Sequence, residues 1–213
     1  MGKKTVYIVR HGETDFNRMN IVQGSGVDSD LNELGKRQGQ AFYEAYKHIP
    51  FDKIYVSKLK RTHQSVKSFI DVGFEIVELE GLNEISWGIY EGKEHSKDFD
   101  QEYLQRVEDW KNGLLHIPIS GGETPIDLNA RQKPALEYIL SHTEEQTVLI
   151  CMHGRALKAF MCLLLNLPLS DMDTFEHRNL GLYLLEYEDG VFTLVKRNDH
   201  EHLKQVGFVE DIT

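Results

Sequence analysis

Cysteine is scarce in this sequence, and no part of it is a long apolar run. The two thiols, Cys151 and Cys162, sit in the apolar stretches VLICM and AFMCLLL. They are too few for a disulfide framework or a cysteine-rich metal site, and a reducing, cytoplasmic compartment is the expectation. No stretch approaches the ~18 apolar residues of a membrane span. The apolar run after the basic start MGKKTVYIVRH is too short for a secretory leader. Gly2 does not begin a myristoylation site, because position 6 is Val rather than Ser or Thr. Basic residues are in deficit: 24 Lys and Arg stand against 34 Asp and Glu, a formal net charge of -10. That balance argues against nucleic acid or an anionic membrane as a partner, since either calls for a basic surface. Repeats and low-complexity linkers are missing too. The 213 residues therefore read as one domain, able to bury about 70% of the unfolded surface in a single core.

What is present is an alternation of strand and helix signals. Val6 to Val9 is a short apolar, β-rich run that stops at Arg10-His11-Gly12, the pattern of a fully buried strand ending in a loop. Asn32 is placed to cap a helix from about Glu33 to His48. Lys53 to Val56 reads as a second strand with a helix after Ser57, and Glu75 to Leu79 as a third. The stretch from Gly81 to Gly122 is the least regular, with one helix expected near Gln101 to Lys111. Thr124-Pro125-Ile126-Asp127 has the cap, the first-turn proline and the acid of a helix start, and Pro134 is expected to kink or restart that helix. Thr147 to Met152 is another buried strand, followed by a helix from Arg155 to Leu165. Leu182 to Glu186 and Phe192 to Lys196 flank Asp189-Gly190 as a terminal hairpin. The whole predicts an α/β three-layer sandwich with a mostly parallel sheet, in which ligands sit beyond the carboxyl ends of the strands. Three strands end there in polar, reactive residues: His11, Ser57 and His153.

The chemistry concentrates at those ends. An imidazole at His11 can attack phosphorus if it is neutral and fixed in one tautomer. Arg10 offers a planar fork to phosphoryl oxygens, and Gly12 would let backbone N–H groups approach them. An ordinary loop histidine or a metal ligand is the alternative for His11 taken alone. For Arg61 it is a surface arginine, for His153 a buried histidine satisfied by backbone, and for Glu84 a plain surface glutamate. The C-terminal Asp199-His200-Glu201-His202 has alternate histidines that could share a metal, but with no third ligand pattern nearby it reads as a solvated polar turn.

The company His11 keeps decides between these. Arg10-His11-Gly12-Glu13-Thr14 after the first strand resembles the signature of the histidine phosphatase superfamily, also called the phosphoglycerate mutase-like family. Asn17 and Gln23-Gly24 match the loop after that motif. Ser57 to Ser65 (SKLKRTHQS) resembles the second motif, and Leu82-Asn83-Glu84 with Gly88 and Glu91-Gly92 the segment that carries the acid. Gly121-Gly122-Glu123-Thr124 matches a further loop, and Met152-His153-Gly154 the second histidine. The resemblance covers nearly the whole chain and implies a single domain over 1–213 with a cap insertion around 84–122. It implies His11 as nucleophile and Glu84 as proton donor and then base. Arg10, Arg61 and His153 would hold the phosphoryl group, with Thr14, Asn17, Gln23, Gly24 and Gly154 as supporting binding residues. Glu13 is a rival acid by proximity alone. Apolar Leu82, Ile85 and Trp87 are placed to desolvate Glu84 and lift its pKa towards neutrality. No metal or cofactor is required, because arginines supply the charge.

Within that family the phosphatase reading is favoured. Mutases typically follow the acid with Arg-His-Tyr-Gly and carry a longer basic insertion, whereas Glu84 is followed here by Ile85-Ser86-Trp87-Gly88. The cations left for a bisphosphorylated intermediate are Arg18, Lys93 and Arg155, the last able to contact substrate or simply to begin its helix. The secreted acid phosphatase and phytase branch usually has its acid just after the second histidine, where this chain has Gly154-Arg155. A silent phospho-ligand binder should lack the nucleophile or the acid, and both are present. The expected substrate is a small phosphorylated metabolite. Trp87, Tyr90, Phe99 and Trp110 would form either an aromatic wall over the site or the cap's own core. No edge strand or apolar stripe can be assigned from sequence, so the oligomeric state is left open.

Overall fold

The computed structural model describes residues 3–206; Gly2 lies outside them. Six strands form one sheet: β1 Lys4–Arg10, β2 Lys53–Val56, β3 Ile76–Glu78, β4 Thr147–Met152, β5 Leu182–Glu188 and β6 Val191–Asp199. Their order is β3-β2-β4-β1-β5-β6. β1 to β4 run parallel, with Thr5 to Arg10 of β1 aligned on Thr147 to Met152 of β4, and β5 and β6 continue the sheet antiparallel. Asp189 (φ 51) and Gly190 (φ 87) turn that hairpin, both in the left-handed region that a two-residue type I′ turn needs.

Alternate side chains of the central strands enter two separate cores, as the period-2 geometry of a strand requires. Val6, Ile8, Val148, Ile150 and Met152 pack on one face with α6 (Pro125–Ser141) and α7 (Gly154–Leu164). Val9, Ile54, Val56, Leu149 and Cys151 pack on the other with Phe42 and Phe69. Those two rings come from α2 (Glu33–Tyr46) and α4 (Lys67–Asp71), and α3 (Lys60–Ser65) leads into α4. This is the three-layer α/β arrangement, and it brings the carboxyl ends of the parallel strands to one edge of the sheet.

The helices differ from expectation in instructive ways. α5 spans Lys97–Lys111, four residues earlier than its apolar pattern suggested, because Ser96 caps it by accepting from the Phe99 N–H with Asp98 and Asp100 in the first turn. α6 opens at Thr124 with the expected capping box, then runs unbroken through Pro134. Leu128, Gln132, Ala135 and Ile139 are all buried along it, and this packing holds the helix across the missing N–H. A short α1 (Asp15–Arg18) is capped by Thr14. Trp87, Phe99 and Trp110 lie in the same apolar cluster as the sheet residues, with Tyr90 half-buried against it. These aromatics therefore join the main core shared with the sheet rather than forming a small core of the cap's own. Among the described residues no helix is long and apolar enough to cross a membrane.

Candidate active site

β1 delivers Arg10 and His11 to the edge of the sheet, and both are buried. The His11 Nδ1 lies 2.7 Å from the carbonyl oxygen of Gly12. A carbonyl only accepts, so Nδ1 carries the proton and Nε2 keeps its lone pair. Burial, then the charges of Arg61 and Arg10, hold the imidazole pKa well below its ordinary value. His11 is thus a neutral imidazole of one tautomer, the state a nitrogen nucleophile needs. Asn179 fixes its backbone, Nδ2 donating to the His11 carbonyl at 2.8 Å. Gly12 has a different reason from the one expected: its N–H donates to Ser65 Oγ at 2.8 Å. A Cβ there would come within 2.7 Å of the Gly35 carbonyl oxygen, so glycine is required for α2 to pack against the loop.

Arg61 comes from α3, His153 from the end of β4 and Ser57 from the end of β2. The Arg61 guanidinium donates through Nε to His153 Nδ1 (3.1 Å), through Nη1 to the Val27 carbonyl (2.6 Å) and through Nη2 to the Gly24 carbonyl (3.3 Å). Burial pushes its pKa down to about 10, which leaves it charged at neutral pH. Because His153 Nδ1 accepts from Arg61, the ring proton sits on Nε2, 2.8 Å from Ser57 Oγ. Burial, then Arg61, His11 and Arg10, keep this ring neutral as well. Both nitrogens of His153 are therefore engaged by protein, and its ring centroid lies 5.1 Å from that of His11.

α1 and the loop after it join these groups. Asn17 Oδ1 accepts from the Thr14 N–H, and the single proton of the Thr14 hydroxyl is shared between Asn17 Oδ1 and Gln23 Oε1, each at 3.1 Å. Gly24 sits between Arg61, which takes its carbonyl, and Glu91, whose carboxylate a Cβ on Gly24 would strike. Glu13, the rival acid, accepts from Asn32 Nδ2 at 2.8 Å at the cap of α2.

Glu84 is buried beside Leu82, Ile85 and Trp87 as expected, but its carboxylate is not bare. Oε1 accepts from the N–H groups of Ile85 (2.9 Å) and Ala156 (2.8 Å), and Oε2 from that of Arg155 (3.1 Å). Two of these donors belong to the first turn of α7, where unpaired N–H groups and the helix dipole favour an acid. Gly154 opens that turn under the His177 ring, whose Nε2 is 2.8 Å from where a Cβ would stand.

Sequence reasoning missed several residues here. His177 Nδ1 accepts from Arg10 Nη1 at 3.1 Å, and burial, then Arg10, Lys158 and Arg155, hold its pKa well below the ordinary value. Arg131 and Glu123 fasten the backbone around Glu84. His177 and Arg131 have no local motif, and only the fold brings them in. Glu123 lies in the Gly121-Gly122-Glu123-Thr124 loop that the sequence already marked, without its partner being legible there. Arg155 neither merely begins its helix nor is free for substrate. It pairs with Asp173 (2.6 Å), bonds the Tyr103 hydroxyl (2.5 Å) and lies over the Tyr103 and Trp110 rings. The C-terminal histidine run is not simply solvated: His202 donates to the Leu180 carbonyl (3.0 Å) and packs edge-on against Phe42 and Tyr46. Among the described residues no three His, Cys, Asp or Glu side chains are grouped to hold a metal ion.

A family model described as the histidine phosphatase superfamily (branch 1) matches residues 6–200. A Hydrogenobacter thermophilus protein named phosphoserine phosphatase 1 is 27% identical over 197 residues, covering 92% of each chain. A Yersinia pestis protein named "Probable phosphoglycerate mutase GpmB" is 31% identical over 189 residues, 86% of this chain and 85% of that one. Among solved structures, a mycobacterial glucosyl-3-phosphoglycerate phosphatase, in complex with VO3, superposes with a TM-score of 0.81 at 25% identity, covering 92% of this chain and 100% of the other.

Proposed function

This chain belongs to the histidine phosphatase superfamily and is an enzyme of the phosphatase type, and we propose that it hydrolyses a small phosphorylated metabolite through a phosphohistidine formed on His11. The observation that carries the reading is the state of that side chain. Its imidazole is buried, neutral and locked with Nδ1–H on the Gly12 carbonyl, within the field of two guanidiniums. In the first step Nε2 attacks the phosphorus in line, the ester P–O bond breaks, and Glu84 gives its proton to the departing alcohol. In the second, water attacks the phosphohistidine while Glu84 takes its proton, releasing inorganic phosphate and restoring the imidazole. Arg10 and Arg61 balance charge on the phosphoryl oxygens during transfer, where electrostatic stabilisation does most of the work. His153 acts here by fixing the Arg61 fork, and Thr14, Asn17, Gln23, Gly24 and Gly154 shape the pocket. The segment 84–122 serves as the cap over the leaving group.

Hydrolysis is favoured over mutase chemistry because Arg155 is committed to the half-buried Asp173. That leaves Lys93 and the surface-paired Arg18 of the three cations available to retain a bisphosphorylated intermediate. The buried free thiols of Cys151 and Cys162 suit a reducing cytoplasm. The test is phosphate release from a panel of phosphomonoesters including O-phosphoserine and 3-phosphoglycerate, with EDTA present, for wild type and His11→Ala. Wild type should turn over at least one ester and show one acid-labile phosphoryl group by intact mass at short times. The variant should lose turnover by at least about 10⁴-fold; turnover surviving in His11→Ala would remove the phosphohistidine route.

A further inference from the structure

Glu84 is tied to the fold at two places, and its backbone tether runs through a residue 47 positions away. Arg131, in the second turn of α6, donates through Nη1 to the carbonyls of Glu80 (3.3 Å), Gly81 (3.2 Å) and Asn83 (3.0 Å), and through Nη2 to that of Glu84 itself (2.7 Å). The remaining edge of the fork meets Glu123, Nε to Oε1 at 2.9 Å and Nη2 to Oε2 at 3.0 Å. Glu123 in turn accepts from the Ser86 N–H (2.9 Å) and donates its own N–H to the Ser86 carbonyl (3.0 Å). One guanidinium–carboxylate pair thus holds the chain before and after the acid. The fit is tight: a Cβ on Gly81 would lie 2.4 Å from the Arg131 carbonyl oxygen. The second tether is the carboxylate on the first turn of α7, and the two tethers are joined. Gln132, next to Arg131, donates to the carbonyl of Ala156 at 2.7 Å, and the N–H of Ala156 holds Glu84 Oε1.

We propose that Arg131, with Glu123, is the positioning residue of the acid: it sets where the Glu84 carboxyl stands relative to the breaking P–O bond, without touching substrate. The inference rests on the reading of Glu84 as general acid. A planar fork with five donors is required, because lysine offers a single point charge and cannot serve four carbonyls and a carboxylate. General acid catalysis depends on hydrogen-bond reach, and a misplacement of about 1 Å can cost roughly a hundredfold.

A loop held only for stability and a loop held for proton delivery differ in one measurable way. An alkyl alcohol leaves poorly unless protonated, whereas 4-nitrophenolate leaves without a proton. The measurement is kcat/KM, which stops at the first irreversible step, on the best alkyl phosphate of the panel and on 4-nitrophenyl phosphate. Arg131→Lys and Glu123→Gln should each lose about tenfold or more on the alkyl ester and no more than about threefold on the aryl ester. Glu84→Gln should show the same selectivity, more strongly, and adding Arg131→Lys to it should cost little more, as expected for residues acting as one unit. If Arg131→Lys misfolds by circular dichroism, Glu123→Gln carries the test. Equal losses on both esters, or none, with Glu84→Gln selective, overturn the positioning role and leave the acid assignment standing. An unselective Glu84→Gln overturns the acid assignment and the positioning role with it.

Discussion

Two imidazoles with ring centroids 5.1 Å apart are set in opposite tautomers by their neighbours. His11 donates from Nδ1 to a backbone carbonyl, and His153 accepts at Nδ1 from Arg61. A carbonyl can only accept and a guanidinium can only donate, so each ring has one choice. The consequence is that Arg61 has three simultaneous duties: it fixes His153, it holds the loop through Val27 and Gly24, and its charge faces His11. Arg61→Lys keeps the charge and loses the geometry. We expect kcat/KM to fall by about a hundredfold or more on alkyl and aryl esters alike, measured by steady-state kinetics; a loss below tenfold would mean that charge alone suffices. At this scale the sequence was legible where chemistry is contiguous. Arg10 and His11 leave a strand together, and their roles follow from adjacency. His177 and Arg131 were not legible, because each reaches the site across a long span of chain, and nothing local distinguishes them from other polar residues.

At the scale of elements, the site is a set of strand ends held in register by helix packing. The strands were legible because buried parallel strands must be short apolar runs bounded by polar loops, and β2 and β4 end where the pattern stops. Helix ends were less so: α5 begins at an acid-rich turn whose buried Phe99 stands alone between Asp98 and Asp100, and α6 passes through Pro134 because burial on one side outweighs one missing hydrogen bond. The contact that matters most is that of α2 with the His11 loop. Gly35 in its first turn faces Glu13, and a Cβ there would stand 2.0 Å from the Glu13 carbonyl oxygen, backbone that cannot swing aside. In a solvent-exposed helix Gly→Ala stabilises by about 1 kcal/mol. Here overpacking should reverse the sign, and Gly35→Ala should destabilise by about 1–3 kcal/mol. It should also lower kcat by displacing the loop, with urea melts and phosphate release as the two readouts. A stabilised, fully active variant would show that the loop can yield without cost.

For the molecule as a whole, a chain of net charge -10 keeps cations and neutral imidazoles at the centre of its phosphate chemistry. Many ion pairs among the described residues join exposed side chains, such as Lys36–Glu33 and Lys67–Asp71, and these contribute little to stability. The buried imidazoles matter more for how the fold responds to pH. His11, His153 and His177 are each held well below the ordinary histidine pKa, first by burial and then by nearby guanidiniums. In the unfolded chain they titrate near the ordinary histidine value of about 6.5. Above that value neither state binds the protons, and stability is flat with respect to these groups. As pH falls below it, the unfolded state gains protons that the folded state refuses, so stability is lost until the folded pKa values are reached. Each group contributes a slope of up to about 1.4 kcal/mol per pH unit in that window. The shifted carboxylates of the surface, such as Glu33 and Glu75, act only lower, because they titrate from 4.5 in the unfolded chain and below it in the folded one, where Lys36 and Lys53 pair with them. Urea unfolding between pH 7.5 and roughly pH 5 should therefore show a plateau and then a decline steeper than one proton can give. His177→Asn keeps an acceptor for Arg10 and has nothing to protonate, so it should flatten the decline by close to one proton. An unchanged slope in that variant would mean that His177 takes up its proton in the folded state as readily as in the unfolded one.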